Sequence, residues 1–303
     1  MTDIQRLKML ELPRDRKISM VLDTDTYNEV DDQFALAYAL LSPERINVEA
    51  VYAAPFQNDH AATPEIGMQQ SYDEIIRLLD KMNYTDKVPV LKGSTSFMSA
   101  PDKPVDSEAA RDLIARAHAH SPEDPLYVVG IAVATDIAAA ITMDPSIIDN
   151  IVVVWLGGNP TYWPNTMEFN LSQDLHSARV LFNSGVALLQ IPAMTVSSHL
   201  LTTLPELKEN LGGKNALCDA LVELFAAYSN DHFGWSKEIW DICAIAYLID
   251  PDWVPCQIVH SPHLTDYHTF SEDNCRHLMK RAFFIYRNPV FRDMFVKLTS
   301  LSN

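Results

Sequence analysis

Positive charge is scarce in this chain. Its 23 lysines and arginines face 40 aspartates and glutamates, for a formal net charge of −17. That balance argues against a polyanionic partner such as nucleic acid or an acidic membrane surface, which needs clustered cations. Cysteine is sparse too. Cys218, Cys243, Cys256 and Cys275 are scattered with no C-x-x-C pair, and a chain of 303 residues does not need disulfides to fold. No apolar run approaches the length of a membrane span. Residues 1–17 are charged, broken by Pro13, and lack the apolar stretch of a signal peptide. The expectation is a reducing, cytoplasmic protein with its thiols in or near the core. Internal repeats, low-complexity tracts and linkers are also missing, so residues 1–303 read as one domain.

Apolar residues, by contrast, make up 48% of the chain, enough for a sizeable core. They fall into an alternating order. Short apolar runs at 18–22, 48–54, 88–91, 126–131, 151–156 and 186–191 read as strands, several with the Val/Ile/Leu density of strands covered on both faces. Between them, 34–41, 66–82, 109–119, 135–142 and 175–183 read as helices. This alternation predicts an α/β fold with an open, mostly parallel sheet flanked by helices. Beyond Pro192 the pattern turns mainly helical, at 204–211, 216–228, 240–249 and 276–297, with one strand at 254–259.

The densest chemistry lies where the first strand ends. Asp23, Asp25, Glu29, Asp31 and Asp32 fall within ten residues. Several carboxylates at one point suit a hard divalent cation, which takes oxygen ligands, and without a cation they repel one another. The alternative is that some of them only cap the following helix. Ligands of open parallel sheets gather beyond the carboxyl ends of the strands. That rule gathers these aspartates with the loop after Ile131 and the loop after Leu156, which carries Asn165, Glu168 and Asn170. Farther on, Asp241 heads an otherwise apolar helix, where by itself it reads as a cap.

Together these segments resemble the nucleoside hydrolase family of the inosine-uridine preferring type. The shared pattern is Asp23-Thr24-Asp25 at a strand end, Asp31-Asp32 opening a helix, Glu168-Phe169-Asn170, and Asp241 followed by an apolar helix and Asp250-Pro251, in order over most of the chain. The resemblance implies a Ca²⁺-dependent N-ribohydrolase that cleaves a nucleoside or related riboside to ribose and free base. It implies metal ligation by Asp25, Asp32, Asp241 and the carbonyl of Ile131, with Asp25 also the catalytic base. It places Asp31 and Asn170 on ribose hydroxyls, Glu168 and Asn165 on the 5′-hydroxyl, and Asn58 as a further sugar contact. It also suggests a homodimer or homotetramer.

Two departures stand out. Five residues, Thr26 to Val30, separate Asp25 from Asp31 where the family has a shorter loop containing Pro-Gly, which either tilts the aspartate pair or adds Asn28 and Glu29 as contacts. Trp240 stands where such members place a histidine thought to assist the leaving base; it can stack on a base or fill space, but it cannot donate a proton as imidazolium does. His232, His199 and Tyr162 are the candidate replacement donors. Two other functions fit parts of the pattern: a nucleoside- or ribose-binding protein that has lost turnover, and a haloacid-dehalogenase-like phosphatase using Asp23 and Asp25.

Overall fold

A strand order of β3-β2-β1-β4-β5-β6 sets the architecture of the computed structural model, which describes residues 1–301. These strands are β1 (Ile18–Thr24), β2 (Ile46–Ala53), β3 (Val90–Lys92), β4 (Leu126–Gly130), β5 (Ile151–Leu156) and β6 (Ala187–Ile191), all parallel to their neighbours. Helices α1 (Asp3–Met9), α2 (Asp32–Leu40), α3 (Pro64–Lys81), α4 (Glu108–Ala119), α5 (Thr135–Met143), α6 (Phe169–Gln173) and α7 (Leu175–Asn183) precede or connect them. The chain order reverses direction across the sheet between β1 and β4. Such a switch point opens a crevice at the carboxyl ends of the two strands.

The second part of the chain contains β7 (Leu201–Thr202), α8 (Leu204–Leu211), α9 (Ala216–Ala227), β8 (Lys237–Glu238) and α10 (Ile242–Ile249). It then adds β9 (Cys256–His260), β10 (His263–Leu264), β11 (Phe270–Ser271), β12 (Leu278–Ala282) and α11 (Arg287–Thr299). The main sheet reaches eight strands because β12 pairs parallel to β6 and antiparallel to β9.

Residues 278–282 therefore correct the sequence expectation of one helix over 276–297. Paired on both sides, Leu278 to Ala282 satisfies its backbone in the sheet, and this tertiary pairing outweighs local helical preference. The helix starts only at Arg287, with Pro289 in the first turn, where no N–H partner is required. Helix α1 was also unforeseen, although Thr2 and Gln5 form a capping box that marks its start.

Strand alternation divides the core between the two faces. Met20, Leu22, Val129 and Val154 join α2 and α10 on one side, while Val21, Val128, Val153 and Trp155 join α5 and α7 on the other. Every residue of α2 is buried. Helices α2 and α10 pack against each other, and α10 also touches β4 and β5. Their starts consequently meet at the switch point.

Candidate active site

Asp31 and Asp241 occupy the N-cap positions of α2 and α10, yet neither side chain makes a capping hydrogen bond. Their carboxylates are thus free for another partner, and the two positive helix ends favour negative charge there. One oxygen each from Asp31, Asp32 and Asp241 lies within 4.8 Å of the others, and all three side chains are buried. Asp25 lines the same cavity, and its Oδ2 is buried without a hydrogen-bond partner. Asp32 also accepts from Thr24 Oγ1.

So much buried charge cannot persist unopposed. Desolvation, reinforced by the neighbouring carboxylates, pushes Asp25 and Asp241 well above the ordinary aspartate range. Desolvation and Asp31 raise Asp32 to about 8, and desolvation with Glu29 raises Asp31 to about 6. An orphaned carboxylate oxygen beside three converging ones suits a hard divalent cation, which takes oxygen ligands.

The floor of the cavity comes from the ends of β4 and β5. The Ile131 N–H donates to the Asp23 carbonyl at 2.9 Å, and Trp155 Nε1 pins the Ala132 carbonyl at 3.0 Å. The Ile131 carbonyl accepts from Asn170 Nδ2 at 3.2 Å, as does the Leu156 carbonyl at 3.0 Å. With both amide hydrogens so engaged, Asn170 is oriented to offer its Oδ1 as an acceptor.

Residues 165–170, expected as a polar loop, in fact lead into α6. Glu168 caps this short helix, accepting from the backbone N–H groups of Asn170, Leu171 and Gly158 at 2.9, 3.1 and 2.7 Å. Gly158 adopts φ +72°, and a Cβ there would come within 2.4 Å of Thr166 Oγ1, so this close turn requires glycine. Desolvation still raises the Glu168 pKa despite its three donors. A carboxylate has about four acceptor sites, so one remains for a hydroxyl.

Asp25, Asp31, Asp32, Ile131, Glu168 and Asn170 share the walls of one cavity of about 230 Å³, which Trp240 and Asp241 complete. Two sugar-contact candidates lie elsewhere. Asn165 is outside this wall, its Oδ1 accepting from the Met167 N–H at 3.1 Å. Asn58 lines a second, outer cavity and donates to Asn28 Oδ1 at 2.8 Å. Asn159 is a wall residue that sequence reasoning missed; it is 3% exposed and donates to the carbonyls of Asn165 and Met167.

None of the three candidate proton donors reaches the inner cavity. His199 packs on Phe284, His232 lies against Trp235 and contacts the Ala226 carbonyl, and Tyr162 bonds Thr195 Oγ1. Asp23, the nucleophile of the phosphatase reading, is completely buried with neither oxygen bonded. No phosphate can approach it there.

The model of the inosine-uridine preferring nucleoside hydrolases matches residues 20–282. Among curated relatives, the non-specific ribonucleoside hydrolase RihC of Escherichia fergusonii is 28% identical over 78% of this chain and 80% of its own length. RihC of Salmonella paratyphi B is 26% identical over 78% and 79%. A purine-preferring ribonucleoside hydrolase from Gardnerella vaginalis superposes with TM-score 0.75 at 22% identity, covering 93% of this chain and 98% of that one. A plant nucleoside hydrolase gives TM-score 0.74 at 20% identity over 94% and 100%, and both structures share this fold.

Proposed function

Since this chain belongs to the inosine-uridine preferring nucleoside hydrolase family, enzymes that hydrolyse N-glycosyl bonds, we propose that it is a Ca²⁺-dependent N-ribohydrolase releasing ribose and free base from a nucleoside or related riboside. The observation that supports this reading most directly is the convergence of Asp31, Asp32 and Asp241 beside the unpartnered Asp25 Oδ2. In this reading residues 1–303 act as one domain, assembled as a homodimer or homotetramer in the cytoplasm.

Asp25, Asp32, Asp241 and the Ile131 carbonyl would hold the ion, with Asp31 close enough to share that duty. Bound Ca²⁺ would supply electrostatic activation of water and an anchor for ribose hydroxyls. The remaining work belongs to the chain. Asp25 takes the proton of the attacking water, Asp31 and the oriented Oδ1 of Asn170 hold ribose hydroxyls, and Glu168 receives the 5′-hydroxyl at its last acceptor site. Cleavage builds positive charge on the sugar, which a wall of carboxylates favours. Trp240, in the cavity wall, would stack on a departing base.

Ribose release from a panel of nucleosides, measured with the purified protein in Ca²⁺ and after chelation, tests this function. Chelator-sensitive release is expected. Stabilisation by ribose or nucleosides with no release after long incubation would instead indicate a binding protein.

A further inference from the structure

The five-residue loop between Asp25 and Asp31 lies between two cavities. Asn28, Glu29 and Phe169 line both the inner cavity of about 230 Å³ and the outer one of about 1210 Å³. If ribose occupies the carboxylate-lined inner space, as the ribohydrolase reading requires, the scissile bond passes these residues and the aglycone begins beside them.

Both polar residues of this loop are held in place. The Asn28 N–H donates to the Asp25 carbonyl at 2.7 Å, and its Oδ1 accepts from Asn58 Nδ2 at 2.8 Å. What Asn28 has left for a ligand is its amide hydrogens. Glu29 Oε2 is paired with Lys237 Nζ, and Lys237 is only 6% exposed, lying 4.5 Å from the centre of the Tyr228 ring. Glu29 Oε1 has no partner among the described residues, so Glu29 retains an acceptor. Burial works against the Lys237 ammonium, but Asp31 and Glu29 outweigh it and hold its pKa above the ordinary lysine value. The antiparallel pairing of β7 with β8 sets Lys237 opposite Thr202, so the far end of this ion pair is anchored in secondary structure.

We propose that Asn28 and Glu29 select the leaving group, Asn28 donating and Glu29 accepting, so that the enzyme favours ribosides whose aglycone carries an N–H beside a hydrogen-bond acceptor. Lys237 is the positioning residue that holds the Glu29 carboxylate toward the aglycone. This inference rests on the ribohydrolase function. A site built to hydrogen-bond a donor discriminates against an analogue lacking it, because the site's own polar group is then left unpaired.

The test compares kcat/KM for inosine, which has an N–H beside a carbonyl, with that for purine riboside, which has no ring N–H there, and with that for 4-nitrophenyl riboside. In Glu29→Leu the inosine-to-purine-riboside ratio is expected to fall about tenfold or more. Lys237→Met lowers the same ratio, and Lys237→Arg restores it, which a purely structural lysine would not do. The double variant Glu29→Leu/Lys237→Met leaves no unpaired buried ammonium and gives the same readout if Glu29→Leu alone does not fold. A parallel fall on all three substrates with an unchanged ratio overturns the selection role. Failure of the unaltered protein to hydrolyse even 4-nitrophenyl riboside, whose leaving group needs no such recognition, overturns the ribohydrolase function itself.

Discussion

At the level of single residues, the proposed function gives each carboxylate in the cavity a separable task. Asp241 touches the cluster from the far helix, so Asp241→Asn removes a proposed ligand without altering the N-terminal loop. Calorimetric titration should show Ca²⁺ affinity weakened by about a hundredfold or more, since even outer-shell changes commonly cost 10–100-fold. Asp25→Asn should lower kcat by roughly 10² to 10⁴, the usual worth of a general base. If Trp240 stacks on the base, Trp240→Ala lowers kcat/KM for purine nucleosides by about 10- to 100-fold, measured by ribose release, because base–aromatic stacking contributes about 1–3 kcal/mol. The sequence made the carboxylates readable because chemistry constrains residue type and order. Asn159 and the Glu29–Lys237 pair escaped it because their importance comes from distant contacts: Lys237 looks like any surface lysine until β8 sets it inside.

At the level of elements, the alternating apolar runs foretold β1 to β6 and the helices between them, since buried parallel strands and amphipathic helices impose distinct periods. They failed at Leu278 to Ala282, where pairing on two sides decides the outcome, and at α6, whose five residues depend on the Glu168 cap. Close packing between elements also leaves checkable traces. In α3, a Cβ on Gly67 would lie 2.0 Å from the Phe56 carbonyl oxygen in the segment leaving β2. Gly67→Ala should therefore destabilise the fold by about 1–3 kcal/mol, seen as a Tm lowered by several degrees. A Tm equal to that of the unaltered protein would show that this contact yields freely.

At the level of the whole molecule, the raised carboxyl groups couple stability to pH. A buried aspartate with a raised pKa binds more protons in the folded chain than in the unfolded one, so without a cation its contribution to stability falls as pH rises. That loss begins near the ordinary aspartate value of about 4 and continues through about 6 for Asp31 and about 8 for Asp32. A divalent cation binds the ionised forms. Saturating Ca²⁺ should accordingly raise Tm more at pH 8 than at pH 6, and an equal rise at both would disprove the linkage. The meeting of α2 and α10 carries one more consequence, this time for synthesis. Asp25, Asp31 and Asp32 leave the ribosome early, whereas Asp241 follows only after β1 to β6 have been made. The nascent chain thus holds an incomplete cluster of like charges for most of translation, and the full set of carboxylates, like the α2–α10 packing that carries it, exists only late in synthesis.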